Sequence, residues 1–503
     1  MKKEKRIFFA VLSGVLLSAG WYEWASGLIL LFALVPLLHV ENYLVKNKDD
    51  FKSVAAFGYA FITFITWNIL TTWWIINASF AGLLMAILIN TSLMSAVFWI
   101  FHYARRKIGT GAGYFSLIVF WLYFEYFYLN AEISWPWLTL GNGFAFNPVF
   151  VQWYEYTGVL GGSFWILLVN ILFIKLLSAI KVNTCRSGIA RILFYLLLVI
   201  SVPIIYSILR YNSYHETSDP REIIVVQPNI DPYREKFGGM ESELQTRKLL
   251  NLAEELVDST IDYVVAPETA LNNNIWLEQL HQNPVIKMVY EFLQPFPDVK
   301  FIVGITAYKR YQNPEEKSPT SRQLGGTSIY YDSFNSAIQI DSTDNIQLYH
   351  KSMLVVGVEK MPYPRYLRFL ERLTLRLGGT FRSHGTQDYR GVFFSPGDST
   401  GVAPVICYES VFGEFVTGYI RAGANLIFVI TNDGWWGDTP GYRQHNALSR
   451  LRAIETRRSI ARSANTGISC FINQRGDIYH PTSWWVPASI KHTLNANDVT
   501  TFT

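Results

Sequence analysis

The sequence predicts a multi-span α-helical membrane bundle followed by an α/β domain. Long apolar runs fill roughly the first two-fifths of the 503 residues. The Lys and Arg residues of this part stand in the short stretches between those runs. After Glu222 the pattern changes to short runs rich in Val and Ile, which are typical of strands. We therefore expect residues 1–212 to form a membrane bundle of about seven helices and residues 213–503 to form the α/β domain.

The apolar runs are long enough to cross the hydrocarbon core of a bilayer, which is about 30 Å thick. Residues 7–40 carry a single formal charge, Glu23, and one straight helix of that length would reach about 51 Å. We expect two shorter helices there, with a bend near residues 20–27. Because apolar sequence continues well past the basic opening MKKEKR, we expect this segment to be retained rather than cleaved as a signal peptide. Five further spans are predicted at 54–76, 80–103, 114–129, 163–180 and 192–209.

Loop charges predict the orientation of the bundle. Positive residues cluster at every second connection, around Lys5, Lys48, Arg106 and Arg186, whereas the stretch 130–162 contains no Lys or Arg. Cytoplasmic loops are the ones that keep positive charge. An odd number of spans that begins in the cytoplasm therefore places the second domain on the exported side. Buried helices of a large soluble protein are the other interpretation of these runs, and the charge alternation disfavours it.

Composition narrows the class of protein further. The net charge is +4, without the blocks of like charge that bind nucleic acid. Three cysteines, Cys185, Cys407 and Cys470, do not make a disulfide framework. No set of His and Cys has metal-ligand spacing and no glycine-rich phosphate loop occurs. We therefore expect neither a metal nor an organic cofactor.

Three chemically reactive side chains stand where predicted strands end. The predicted strands are EIIVVQ, DYVVA, KFIVGIT, VAPVIC, NLIFVIT and ISCFIN. Glu268 follows VVAP, Lys351 lies in YHKSM, and Cys407 ends VAPVIC. Ligand groups of α/β folds collect at strand ends, and a helix after Cys407 would bring backbone N–H groups to its thiol. A carboxylate, an ammonium group and a thiol are therefore predicted to converge.

Each of these residues has an ordinary explanation when it is taken alone. A lone Cys at a strand end is usually a small buried hydrophobe, and a lone Glu or Lys is usually a solvated charge or part of a surface ion pair. As a set they fit covalent catalysis, because a thiol with a pKa near about 8.5 needs a base or a cation to be nucleophilic at neutral pH. The set predicts an enzyme with a cysteine nucleophile, and a binding scaffold with a vestigial site is the alternative that these residues disfavour.

The motifs APET, YHK and ICYES resemble those around the Glu, Lys and Cys of the nitrilase superfamily, whose domain is an αββα sandwich. The whole-chain plan resembles the apolipoprotein N-acyltransferase family, the membrane-embedded branch of that superfamily. The resemblance implies that Glu268 is the general base, that Lys351 stabilises the oxyanion and that Cys407 is the nucleophile. It further implies supporting roles for Glu359, Tyr408 and Glu409, and places in a substrate cleft for Trp435 and Arg458. A packed aromatic ring and a structural ion pair are the respective alternatives for the last two.

The resemblance also implies a reaction and a location. A membrane phospholipid would donate an acyl chain to the cysteine, and the N-terminal α-amine of a diacylglyceryl-cysteine lipoprotein would accept it from the thioester. The expected location is the bacterial inner membrane, with the catalytic domain in the periplasm and the protein acting as a monomer. The family usually ends in another membrane helix, and the final stretch is too polar to supply one, so we expect that anchor to be trimmed or lacking. A membrane-tethered amidase acting on a small C–N substrate is the alternative enzyme.

Overall fold

The computed structural model of the chain describes residues 1–182, 185–236, 239–361, 363, 383–395 and 399–503. The chain divides into two compact units, Met1–Tyr214 with Phe502–Thr503 and His215–Thr501. The first unit is helical, and the second is built on two β-sheets.

The helices of the first unit follow the apolar runs of the sequence. They are α1 Lys3–Ala19, α2 Leu30–Ala33, α3 Val35–Lys46, α4 Ala55–Thr72, α5 Phe80–Ile108, α6 Thr110–Asn130, α7 Tyr154–Lys181 and α8 Arg186–Ser213. Within the described residues, six segments are long and apolar enough to cross a membrane: Gly27–Lys46, Ala55–Asn77, Phe80–Ile108, Thr110–Asn130, Tyr154–Lys181 and Arg186–Ser213. The predicted multi-span helical bundle is therefore confirmed.

The predicted bend between the first two helices is also present. Helix α1 ends at Ala19, and a 3₁₀ turn over Gly27–Ile29 leads into α2. A Cβ atom at Gly27 would lie 2.8 Å from the carbonyl oxygen of Gly143, so only glycine permits this approach. Helix α1 has 17 residues, or about 26 Å at 1.5 Å per residue. Its role as a seventh span stays a prediction.

One charged residue that the sequence places in a loop is buried instead. Arg105 lies in the last turn of α5, where its guanidinium group contacts the buried carboxylate of Glu41 in α3. The same carboxylate lies 2.8 Å from Nδ1 of His102, and the ring centre of Tyr114 lies 4.1 Å from the Arg105 guanidinium carbon. This group of charges joins the ends of α3, α5 and α6 in the way that paired intramembrane charges do.

The second unit alternates strands and helices. Its strands are β1 Pro220–Gln227, β2 Tyr263–Val265, β3 Leu271–Trp276, β4 Lys300–Tyr311, β5 Arg322–Gln323, β6 Tyr330–Ile340, β7 Gln347–His350, β8 Phe393–Phe394, β9 Gly401–Ile406, β10 Leu426–Thr431, β11 Ile460–Ala464, β12 Cys470–Ile472, β13 Ile478–Tyr479 and β14 Ala488–Asn495. Its helices are α9 Ser242–Glu254, α10 Pro284–Leu293, α11 Gly413–Arg421 and α12 Pro440–Thr456. All six predicted strands are present, as β1, β2, β4, β9, β10 and β12.

The strands form two sheets with parallel centres. The first has the order β14-β1-β2-β4-β6-β5, with β3 on β4 and β7 on β6, and the second has the order β13-β12-β11-β10-β9-β8. Neighbours within β1-β2-β4 and within β9-β10-β11 are parallel. The carboxyl ends of these central strands consequently share one edge of each sheet.

The two sheets pack face to face between layers of helices. The ring of Tyr263 in β2 meets the ring of Phe428 in β10 with centroids 5.3 Å apart. On its other face the first sheet packs against α9 and α10 through Leu249 and Val285. Burial on both faces explains why β1 and β10 are continuous apolar runs rather than alternating ones. The predicted αββα sandwich is confirmed.

Candidate active site

Cys407 stands at the carboxyl end of a fully buried strand. Strand β9 ends at Ile406, and Cys407 opens a 3₁₀ turn that ends at Val411. This turn replaces the α-helix expected there, because α11 begins only at Gly413. Cys407 has a φ of 50°, a left-handed conformation that costs a non-glycine residue free energy. The hydroxyl of Ser410 donates to the carbonyl oxygen of Cys407 over 2.7 Å and holds it in this conformation.

Glu268 reaches the site from the first sheet. Strand β2 ends at Val265, and the chain continues beside β4, where the N–H of Gly304 donates to the carbonyl oxygen of Pro267 over 3.1 Å. The Glu268 side chain is buried, and Thr269 after it has a φ of 48°. A Cβ atom at Gly304 would lie 2.6 Å from the Cα atom of Glu268. The absence of a side chain at Gly304 therefore sets the position of Glu268.

Lys351 bridges two carboxylates. It follows β7, and its Nζ lies 3.0 Å from Oε1 of Glu268 and 2.8 Å from Oε1 of Glu359. The side-chain amide of Asn335 in β6 donates to the same two oxygens over 2.7 and 3.0 Å. The N–H of Val355 donates to the other oxygen of Glu359 over 2.8 Å. The structure thus places Glu268, Lys351 and Glu359 together, and Asn335, which the sequence did not single out, contacts the same oxygens.

The charges of this group act on one another in a dry environment. Burial lowers the pKa of Lys351, but Glu268 and Glu359 outweigh burial and raise it well above its usual value. Burial raises the pKa of Glu359, but Lys351, His384 and the N–H of Val355 together outweigh burial and lower it. Lys351 is therefore a permanent cation at neutral pH.

The surroundings of the Cys407 thiol favour its neutral form rather than its charged form. Burial raises its pKa, the negative charge of Glu268 raises it further, and Lys351 only partly compensates. The resting thiol is protonated, so a base has to take its proton when a substrate binds. The negative charge of Glu268 acts directly on this thiol.

Glu409 ties the two sheets together behind the site. One carboxylate oxygen accepts from the N–H of Ile406 over 2.8 Å, and the other accepts from the N–H of Ser352 over 2.7 Å and from the hydroxyl of Tyr349 over 2.6 Å. It therefore links the residue before Cys407 to the residue after Lys351. Tyr408 is buried with its ring against Phe412, so it packs beneath the turn.

The two residues predicted for the substrate cleft have different positions. Trp435 follows β10, at the sheet edge that carries Cys407, and the hydroxyl of Tyr233 donates to its carbonyl oxygen over 3.0 Å. Arg458 precedes β11, so it lies at the opposite edge, about 16 Å away along six-residue strands. Its buried guanidinium group donates to the carbonyl oxygens of Ala424 and Val499 over 2.9 and 2.7 Å. The structure does not bring Arg458 to Glu268, Lys351 and Cys407, which are called the triad below.

A buried network that the sequence reasoning missed lies behind Cys407. Nε2 of His445 in α12 lies 3.2 Å from the carbonyl oxygen of Cys407, and its Nδ1 lies 2.9 Å from Oδ1 of Asp433. Arg462 donates to Oδ2 of Asp433 over 2.7 Å. Asp433 follows β10 as Cys407 follows β9, so the strand-end rule would have found it.

The network also has the spacing of a metal site. Donor atoms of Cys407, Asp433 and His445 lie within 4.8 Å of one another. However, Nη2 of Arg462 lies 3.1 Å from Nδ1 of His445 and ion-pairs with Asp433. A cation would have to displace this guanidinium group, so the donor set fits a hydrogen-bonded network better than a metal.

A second buried lysine and a cavity lie beside Glu268. Nζ of Lys236 donates to the carbonyl oxygen of Glu268 over 3.2 Å and to the hydroxyl of Thr269 over 2.6 Å. Lys236 also lines a cavity of about 450 Å³ together with Asn272, Thr306 and other residues. Nothing in the polar stretch DPYREK distinguishes this lysine from a surface residue, so no local pattern indicates its burial.

An αββα sandwich that gathers a carboxylate, a lysine and a cysteine at its strand ends is typical of the carbon-nitrogen hydrolases. The chain belongs to the carbon-nitrogen hydrolase family, whose model matches residues 225–502. The model of the apolipoprotein N-acyltransferase N-terminal domain matches residues 13–172. The resemblance to the nitrilase superfamily and its membrane-embedded branch, predicted from the motifs, is confirmed.

Several relatives match this chain over most of both lengths. The chain is 29% identical over 492 residues to the apolipoprotein N-acyltransferase of Chlorobaculum tepidum, covering 96% of this chain and 89% of that protein. It is 26% identical over 476 residues to the enzyme of the same name from Rickettsia typhi, covering 88% and 84%. It is 24% identical over 500 residues to that from Thermotoga maritima, covering 94% and 84%.

Proposed function

We propose that the protein transfers an acyl chain from a membrane phospholipid to the N-terminal α-amine of diacylglyceryl-cysteine lipoproteins, through a thioester on Cys407. The observation that carries this proposal is the buried contact of Lys351 with Glu268, 3.0 Å apart, together with the effect of both charges on the Cys407 thiol. The membrane-length helices and the names of the relatives support a substrate that stays in the bilayer.

In the first half-reaction, Glu268 takes the thiol proton while the sulfur of Cys407 attacks the ester carbonyl carbon of the phospholipid. Negative charge then develops on the carbonyl oxygen, and the ammonium group of Lys351 stabilises it. The ester C–O bond breaks, the lysophospholipid oxygen takes the proton from Glu268, and a thioester remains. One fixed donor of this kind is worth about 3 kcal/mol of barrier.

In the second half-reaction, the neutral α-amine of the lipoprotein attacks the thioester carbon. Glu268 accepts a proton from the nitrogen, the C–S bond breaks and an amide forms. The sulfur regains its proton from Glu268, which restores the resting site. Glu359 and Asn335 contribute by holding Lys351 and Glu268 in register.

The test is to follow the mass of Cys407 in purified enzyme supplied with phospholipid alone. A hydroxylamine-labile acyl adduct should accumulate, because no amine is present to accept it. A diacylglyceryl-cysteine peptide with a free α-amine should discharge the adduct into an N-acylated peptide, and the same peptide acetylated at that amine should not.

The other two cysteines supply matched controls. A variant with Cys185→Ala and Cys470→Ala should still form the adduct, and Cys407→Ala should not. An enzyme that takes no acyl mass from phospholipid, yet releases ammonia from a small amide through Cys407, would instead be an amidase.

A further inference from the structure

Lys236 is a buried lysine that the reaction above does not use. It lies in the loop after β1, and its side chain is almost fully buried. Its Nζ donates to the carbonyl oxygen of Glu268 and to the hydroxyl of Thr269, over 3.2 and 2.6 Å. A buried ammonium group is unfavourable unless charges or acceptors compensate for the loss of water. The burial of Lys236 beside Glu268 therefore calls for a compensating interaction with the charges of the site.

The charges of the site do not balance without it. In the contact group that Lys351 forms with Glu268 and Glu359, two carboxylates face one ammonium group. When the proton of Cys407 moves to Glu268, the thiolate and Glu359 remain negative against Lys351 alone. With Lys236 included, the thiolate and this contact group together carry no net charge. In a dry site such a balance strongly affects how readily the thiolate forms.

We infer that Lys236 is a positioning residue of the active site, which orients Glu268 through its backbone and whose positive charge favours formation of the Cys407 thiolate. This inference rests on the proposed function only in taking Glu268 as the base and Cys407 as the nucleophile. It assigns a role to a residue outside the Glu268, Lys351 and Cys407 set.

The electrostatics of Lys236 agree with this role. Burial lowers the pKa of Lys236 to about 8, while the negative charges of Glu268 and Cys407 act to raise it. Glu268, Lys351 and Asp433 are the charged groups that act most strongly on the Cys407 thiol, and His445 contacts its carbonyl oxygen. Since Lys351 is protonated throughout the neutral range, Lys236 is the cation here whose charge changes near pH 8.

The decisive variant is Lys236→Gln, because glutamine retains a donor for the same acceptors but loses the charge. The rate of alkylation of Cys407 by iodoacetamide is measured by mass spectrometry between pH 6 and pH 10. Below pH 8 the rate should fall about tenfold, the effect of one unit in the thiol pKa. Above pH 8 the two proteins should converge, since Lys236 of the parent protein loses its own charge there. Lys236→Met should show the same pH dependence and serves if the Gln variant does not fold.

Lys248→Met is the matched control. Lys248 is partly buried in α9, and its Nζ donates to the carbonyl oxygen of Asn229 over 3.2 Å, but it contacts no residue of the triad. Its replacement should leave the alkylation profile unchanged. Parent-like alkylation in Lys236→Gln, or a deficit that is equal at every pH, would overturn the charge role.

Failure of this inference is distinguishable from failure of the proposed function. If the parent protein forms no acyl adduct from phospholipid while the alkylation profiles differ as expected, the acyl-transfer proposal fails and the role of Lys236 stands. If Lys236→Gln alkylates normally but the parent protein forms the adduct, the reverse holds.

Discussion

Cys407 combines a left-handed backbone with a protonated thiol. Its φ of 50° is held by Ser410 and by the contact of His445 with its carbonyl oxygen. Such strain persists only where the surroundings determine the conformation, and it concentrates at functional sites. Burial and the negative charge of Glu268 also keep the thiol protonated at neutral pH.

His350, the neighbour of Lys351, makes stability depend on pH. Its ring stacks on Phe334 with centroids 4.1 Å apart, and Nδ1 lies 2.7 Å from the hydroxyl of Ser336. Burial lowers the pKa of His350 from 6.5 to about 4, and Lys309 adds to the effect. The unfolded chain therefore binds more protons between pH 4 and 6.5. Stability of the fold is present above pH 6.5 and is lost as pH falls through this window.

We predict that His350→Gln weakens this dependence. Between pH 7 and pH 5 the parent protein should lose about 2 kcal/mol through this residue, and the variant should lose correspondingly less. The measurement is the denaturation midpoint at the two pH values. His281→Gln, at an exposed position, should behave like the parent protein. Equal pH dependence in His350→Gln and the parent protein would contradict the assignment.

Among the secondary-structure elements, the apolar strands could be predicted from their residue pattern and the polar strands could not. The six predicted strands are buried on both faces, so their apolar runs are unbroken. Strand β11, IARSA, was missed because its polar side chains serve buried networks: Arg462 pairs with Asp433, and Ser463 donates to the carbonyl oxygen of Val226. Arg105 was placed in a loop for the same reason, since its partner Glu41 is 64 residues away in sequence. Partners distant in sequence leave no local pattern.

The residues of the candidate site likewise differ in whether a local sequence pattern marks them. Glu268 and Cys407 were singled out because each follows a predicted strand, and parallel strands bring such positions to one edge, whereas Lys351 was singled out by the motif around it. Asn335 lies within β6 and Lys236 within an irregular loop, so neither follows a recognisable element. Arg458 was placed at the site by resemblance alone, although it precedes its strand and so lies at the other edge.

Gly304 in β4 passes close to the backbone of Glu268 and Thr269, and this close approach can be tested by substitution. In Gly304→Ala the new Cβ would meet backbone atoms, Thr269 N at 2.4 Å and Glu268 Cα at 2.6 Å, so the Glu268 segment has to move. Stability should fall by about 1–3 kcal/mol, and acylation of Cys407 by about a hundredfold, as for a base displaced by about 1 Å. Gly325→Ala is the control, because nothing lies within 4 Å of its Cβ position. Normal acylation in Gly304→Ala would show that the close approach of Gly304 does not set the position of Glu268.

For the molecule as a whole, the number of spans decides which compartment holds the second unit. Six segments of the described chain are long enough to cross a membrane, and α1, with 17 residues, would make the number odd. Six spans would leave both ends of the bundle in one compartment, whereas seven separate them. We propose seven, because the positive residues fall at alternate connections and the stretch 130–162 has none.

The native Cys185 makes this arrangement testable without a fusion protein. It is exposed between α7 and α8, and the hydroxyl of Ser187, 3.3 Å from its sulfur, lowers its pKa, which favours reaction with maleimides. A membrane-impermeant maleimide should label Cys185 only after the membrane of spheroplasts is permeabilised, because this connection should face the cytoplasm. In a Cys185→Ser background, Ser218→Cys introduces a thiol at an exposed position after α8, and it should be labelled in intact spheroplasts. Labelling of Cys185 in intact spheroplasts, or protection of the introduced thiol, would mean that α1 does not span the membrane or that the bundle is inverted. Either result would move the second unit, and the proposed acyl transfer with it, to the cytoplasmic side.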